Sequence, residues 1–163
     1  MRHVIGTFPE SEYGGGQALP RQGRVAFEDW ETQPGGYFEL IAPFFEDIAK
    51  RQCGVALQSI NVLVVLSGSD LTEGIARTEA MIQKFSTLER TWQLHQGSEK
   101  LPGEPERQVY VTLYRSRLTA IVNWLKQIFA NAHDAGHCIV FGNGVCYSML
   151  CGIKLPPGTE VYS

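Results

Sequence analysis

Five consecutive aliphatic residues, Val62-Leu63-Val64-Val65-Leu66, place the tightest constraint on the fold. From Ile60 to Leu66 this is a β-branched, nearly uninterrupted apolar run, the signature of a strand covered on both faces. A layered structure is therefore required, with material above and below this strand. Ser67-Gly68-Ser69-Asp70 follows at once. Asp70 is placed to cap a helix, with Glu73 as its reciprocal partner. Leu71, Ile75, Ile82, Phe85 and Trp92 predict the apolar stripe of that helix, ending before Gly97.

The stretch Arg107 to Leu155 repeats the grammar. Val109, Val111 and Leu113 alternate with Tyr110, Thr112 and Tyr114, which predicts a half-buried strand. Ser116 is available to cap a helix whose buried face carries Leu118, Ile121, Val122, Leu125, Ile128 and Ala132, and Gly136 suits its left-handed end. Cys138 to Phe141 predicts a third strand. Beyond Gly142-Asn143-Gly144, the alternation of Val145, Tyr147, Met149, Cys151 and Ile153 favours a hairpin partner strand, with a short helix as the alternative. Upstream, Tyr37, Leu40, Ile41, Phe44, Phe45 and Ile48 recur at helical spacing towards Gly54, and Pro43 predicts either a kink or the start of the regular part.

The expected fold class is α/β or α+β: a mixed, three- to five-stranded sheet with two or three amphipathic helices, for which a ferredoxin-like arrangement is one solution. Right-handed crossovers would make neighbouring strands partly parallel. Residues 1–36, with Tyr13-Gly14-Gly15-Gly16 and Gln33-Pro34-Gly35-Gly36, read as an irregular N-terminal arm with a short strand near Arg24 to Glu28. Residues 37–163 read as one α/β domain. A chain of 163 residues is long enough to bury about 70% of its unfolded surface without a covalent staple.

Charge and cysteine usage narrow the partners. The net charge is −3, and Lys and Arg are scattered, so the electrostatic term that drives nucleic-acid binding is missing. The aliphatic run at Val62 is far short of the about 20 residues a membrane span needs, and the N-terminus lacks the apolar core of a secretory signal. The expected location is cytoplasmic or a virion. Cys53, Cys138, Cys146 and Cys151 lie in apolar segments and read as reduced thiols.

Three constellations carry chemistry. His133, His137, Cys138, Cys146 and Cys151 offer the imidazole and thiolate ligands zinc prefers, without the usual ligand spacing. Cys146 also reads as a thiol nucleophile with His137 or His133 as its base and Asp134 to orient it. The turn Ser67, Gly68, Ser69, between a strand and a helix N-terminus, has the form of an anion site, although no phosphate-loop motif is present.

Ala135-Gly136-His137-Cys138-Ile139-Val140-Phe141-Gly142-Asn143-Gly144 resembles the strand and turn that open the sugar-phosphate site of SIS-domain isomerases, over about ten residues. The likeness implies a ligand turn at Gly142, Asn143 and Gly144. It departs at Val145-Cys146, where that family continues Gly-Ser into a helix.

The leading expectation is a small non-enzymatic protein-binding module, of the accessory, immunity-like or viral and phage assembly kind, with no cofactor. Its partner is another protein chain or its own copies, contacted through Tyr13, Arg21, Arg24, Phe27 and Trp30 of the arm, residue types enriched at interface anchors. The alternatives are an enzyme binding a sugar phosphate or other anion through the two turns, and a zinc-binding domain.

Overall fold

The computed structural model describes residues 3–12, 26–29, 36–57 and 62–143. In chain order these form β1 (His3–Pro9), β2 (Ala26–Asp29), α1 (Phe38–Ile41), α2 (Glu46–Cys53), β3 (Val62–Leu66), α3 (Ser69–Ser86), β4 (Thr91–Glu99), β5 (Arg107–Tyr114), α4 (Arg115–Asp134) and β6 (His137–Asn143). Strands β2-β1-β6-β3 build one four-stranded sheet, and β4-β5 form a separate two-stranded ribbon. Every pairing is antiparallel.

The partly parallel sheet expected from crossovers is therefore replaced by an α+β arrangement. The path explains the direction. Between β3 and β6 the chain reverses at α3, at β4, at β5, at α4 and again at β6, so β6 returns antiparallel to β3. From β3 to β6 the element order is that of a ferredoxin-like unit. Its middle pair leaves the sheet as the ribbon, and β1 with β2 fill the other flank of β6.

The arm reading changes most. His3–Pro9 is an interior strand, paired from His3↔Asn143 to Pro9↔His137 on one side and with β2 on the other. Residues 3–9 and 26–29 thus belong to the sheet. The short strand expected near Arg24 to Glu28 is present as β2, whereas the period of residues 3–9 was hidden because Gly6 and Thr7 interrupt the apolar residues, and because a strand buried on both sides need not alternate.

Both sheet faces are buried, as the aliphatic run requires. Ile5, Val62, Val64, Leu66 and Ile139 join the helices in one core with Phe45, Leu71, Met81, Phe85, Leu125 and Phe129. Phe8, Val65, Cys138 and Val140 are buried on the opposite face, where their register sets them side by side.

Pro43 acts as the periodicity suggests. It stands in a 3-10 turn over Ala42–Phe45 that joins α1 to α2, and Gly54 ends α2 at φ +71°. Phe44 and Phe45 leave this turn in different directions, meeting Phe85 and Phe129 edge to face at 5.8 and 6.0 Å. Arg77 on α3 ties the turn down: it donates to the Phe44 carbonyl at 2.7 Å, to both Asp47 oxygens and to Glu73, with its guanidinium over the Phe45 ring. These bonds raise the pKa of Arg77 and hold the Asp47 carboxyl below its usual range.

Three helix boundaries differ from the sequence reading: both ends of α3, and the start of α4, which begins at Arg115 with Tyr114 at its N-cap and no side-chain cap, so that Ser116 lies inside the helix. Helix α3 begins at Ser69 without a side-chain cap, and Glu73 reaches forward to Arg77 instead of back. It ends at Ser86, where the hydroxyls of Ser86 and Thr87 turn back onto the carbonyls of Gln83 and Lys84. Trp92 is consequently a strand residue. Its alternation with Gln93, Leu94 and His95 is a period of two, which a helical spacing from Phe85 had absorbed.

Among the described strands β3 lies at the edge of its sheet, and a side chain occupies its outer side. Gln52 donates its amide N–H to the Val65 carbonyl at 2.6 Å and accepts from the Val65 N–H at 2.8 Å. A primary amide offers the same donor and acceptor as a peptide group, so Gln52 stands in for one residue of a further strand. This removes a template for unwanted strand addition. No helix among the described residues is long and apolar enough to cross a membrane.

Candidate functional site

The ribbon presents the most exposed aromatic surface of the described residues. Its two faces are set by alternation. Trp92 and Leu94 lie opposite Leu113 and Val111 and turn inward, packing against the core. Thr91, Gln93 and His95 lie opposite Tyr114, Thr112 and Tyr110 and turn outward. Tyr110 is 57% and Tyr114 47% exposed, far above a typical core-facing tyrosine.

The outward face is ordered by its own cross-strand contacts. His95 lies against Tyr110 with ring centroids 5.1 Å apart and planes tilted by 51°, and meets Gln108 through Nε2 at 2.6 Å. Gln93 donates to the Thr112 hydroxyl at 2.8 Å. Toward the tip, Ser98 bonds Glu106 and Arg107 pairs with Glu99. Such pairs hold side chains in place before any partner arrives, which lowers the ordering cost of binding.

Among the described residues no strand pairs with the outer edge of β5. The Arg115 N–H donates to the Arg90 carbonyl at 3.0 Å, which fixes the phase of the ladder. Backbone groups of Val111 and Leu113 then face β4, and those of Gln108, Tyr110, Thr112 and Tyr114 face away. The Tyr37 hydroxyl confirms the phase by accepting the outward Tyr114 N–H at 3.1 Å. On β4, by contrast, a bulge between His95 and Gly97 breaks the regular edge.

The expected anion site is divided. Because β3 and β6 are antiparallel, Leu66 pairs with Ile139 at one end of the sheet while Leu63 pairs with Gly142 at the other. Ser67, Gly68 and Ser69 therefore lie at the opposite end of the strands from Gly142 and Asn143, and the two segments do not line one crevice. Gly142 and Asn143 are strand residues, paired with Val4 and His3 and with Leu63 and Val62, which corrects their reading as a turn. Gly142 has φ +150°, a conformation suited to glycine. Gly144 lies outside the described residues. At the other end, Asp70 occupies the first turn of α3 and accepts from Arg51 at 2.7 Å, so a carboxylate of the chain already meets the helix dipole.

The histidines and cysteines are also separated. His133 is exposed near the end of α4, 3.4 Å from Asp134. His137 and Cys138 are consecutive on β6 and point to opposite faces. Cys138 is buried, and burial first, with the nearby Glu10 charge second, pushes its thiol up to about 11. It stays protonated at neutral pH, in which form it neither ligates nor attacks. Among the described residues no group of three or more His, Cys, Asp or Glu is gathered around a common point. Cys146 and Cys151 lie outside the described residues, as do the arm residues Tyr13, Arg21, Arg24 and Trp30. Phe27 stands on β2, opposite Gly6.

His137 instead borders a cleft of about 310 Å³ between β1 and the C-terminal half of α4, with Ile5, Ile128 and Ala132 as apolar lining and Thr7 and Asn131 as further polar groups. Asn131 is engaged by Gln127 at 2.8 Å. Sequence reasoning missed both the cleft and the ribbon. The Thr112-Tyr114 alternation marked β5 as half-exposed, but only the pairing with β4 gathers His95, Tyr110 and Tyr114 on one face.

No family model, curated protein or solved structure matched the chain.

Proposed function

We propose that this chain is a small protein-binding module that makes contact through the outward face of the β4–β5 ribbon. The observation that carries the reading is the exposure of Tyr110 and Tyr114 on a two-stranded ribbon whose inner face is anchored on the core. Tyrosine brings a large amphipathic contact area with few rotatable bonds, and is enriched where binding energy concentrates. His95, Gln93 and Thr112 add polar contacts between the two rings. Tyr13, Arg21, Arg24 and Trp30, with Phe27 of β2, extend the same reading as further anchors.

The test is affinity capture from lysate of the expressing cells, with wild type and a Tyr110→Ala/Tyr114→Ala double variant as baits. Far-UV circular dichroism establishes that the double variant keeps its fold. The expected result is a protein retained by the wild type and lost by the variant. Equal retention by both baits removes the ribbon from the interface.

A further inference from the structure

We propose that the partner of the ribbon is a second copy of this chain, added edge to edge along β5 about a two-fold axis at Tyr110. This rests on the protein-binding reading above and specifies it. Among the described residues nothing bonds the outer edge of β5 between Gln108 and Thr112, unlike β3 with its Gln52 clasp and β4 with its bulge. A regular edge strand of alternating β-formers is a template for another strand.

The backbone phase then selects the register. Of the outward-facing residues, Tyr114 already gives its N–H to Tyr37. Gln108, Tyr110 and Thr112 remain, a set symmetric about its middle member. Antiparallel pairing of two copies with Tyr110 opposite Tyr110, and Gln108 opposite Thr112 in both directions, uses every one of these groups. An isologous dimer interface requires this self-complementarity. The result is a four-stranded sheet in the order β4, β5, β5, β4.

Side chains and charges agree with that register. On the outward face the two Tyr110 rings become direct cross-strand neighbours, and Gln108 meets Thr112. On the inward face Val109 comes opposite Val111, so two half-buried β-branched residues cover each other. The antiparallel direction also sets the tip of each ribbon, with Glu104 and Glu106, beside the base of the other, where Arg115 opens α4. The Arg115 guanidinium is held by the neutral carbonyls of Ser86 and Leu88, which leave its charge uncompensated. An acidic tip against a basic shoulder favours this antiparallel approach.

A charge swap at the axis tests the proposal in the full-length chain. Tyr110→Glu and Tyr110→Lys each change an exposed side chain of the ribbon, so the monomer fold is kept, and circular dichroism checks it. In sedimentation velocity the wild type is expected to approach twice the 18.1 kDa chain mass as concentration rises. Each variant alone places like charges opposite each other and is expected to stay monomeric. An equimolar mixture of the two is expected to recover the dimer. A wild type that stays monomeric, variants that still dimerise, or a mixture that stays monomeric would each overturn the Tyr110 axis. A monomeric wild type that nonetheless loses a captured protein in the Tyr110→Ala/Tyr114→Ala variant sinks self-pairing alone. A wild type that neither self-associates nor captures a partner sinks both.

Discussion

Gln52 offers the sharpest check on how the sheet is finished. Its amide makes two bonds to one residue, Val65, whose side chain is buried. Gln52→Glu is isosteric and keeps an acceptor for the Val65 N–H, but it has no proton to give the Val65 carbonyl. One hydrogen bond worth about 1 kcal/mol is lost, and a carbonyl left unsatisfied beside a carboxylate adds about 1–3 kcal/mol, for a total of about 2–4 kcal/mol. Gln52→Ala loses both bonds but opens space for water on a half-buried side, so its cost is smaller, at about 1–3 kcal/mol.

Against a total stability of about 5–15 kcal/mol these are large effects. Urea unfolding followed by tryptophan fluorescence reads them as a lower midpoint at unchanged slope. The penalty of Gln52→Glu has a pH signature. The folded state prefers the protonated acid, which can donate to Val65, so the introduced carboxyl has its pKa raised on folding. The destabilisation is present at neutral pH and fades as pH falls through that raised value. A Gln52→Glu midpoint equal to that of wild type, or a penalty independent of pH between about 4 and 7, refutes the strand-mimic role.

Two further substitutions probe the packing that supports the ribbon and the helical turn. Gly36 sits at φ +118°, and an added Cβ would fall 2.8 Å from Leu94 Cδ2. Gly36→Ala is expected to cost about 2–4 kcal/mol from backbone strain and overpacking together, with faster amide exchange across β4 and β5; unchanged exchange there would count against the anchoring. Arg77→Met removes the bond to the Phe44 carbonyl at a cost of about 1–2 kcal/mol, since the two carboxylates it pairs with are largely exposed and add little. Because Arg77 lowers the Asp47 pKa, the pair's contribution is complete above the ordinary carboxyl range and is lost as pH falls through the lowered value. The variant should accordingly show a shallower loss of stability below about pH 4; an identical acid slope in both proteins would contradict the pairing.

Local periodicity specified several elements before any tertiary contact was known. The aliphatic run at Val62 required burial on both faces, and β3 has it. Helix α4 carries most of the predicted stripe, with Leu118, Ile121, Val122, Leu125 and Ala132 buried and Gly136 at φ +63° past its end, while Ile128 is only half-buried and Phe129 takes the core position beside it. Pro43 predicted the break between α1 and α2, because a residue without an N–H cannot continue the ladder.

Partners distant in sequence decided the rest. Whether β3 and β6 run parallel depends on how many times the chain reverses between them, and Trp92 as a strand residue changed that number. The strand identity of His3–Pro9 comes from pairing with β6, the last strand of the described chain, which no short window registers. The candidate site has the same origin. Tyr110 and Tyr114 are legible as alternate strand residues, but their exposure and the neighbour His95 beside Tyr110 depend on the ribbon standing apart from the main sheet. Sequence alone determined which faces are apolar, because that is a property of spacing. Tertiary structure determined which of those faces and edges find a partner within the chain, because that depends on where the other strands go.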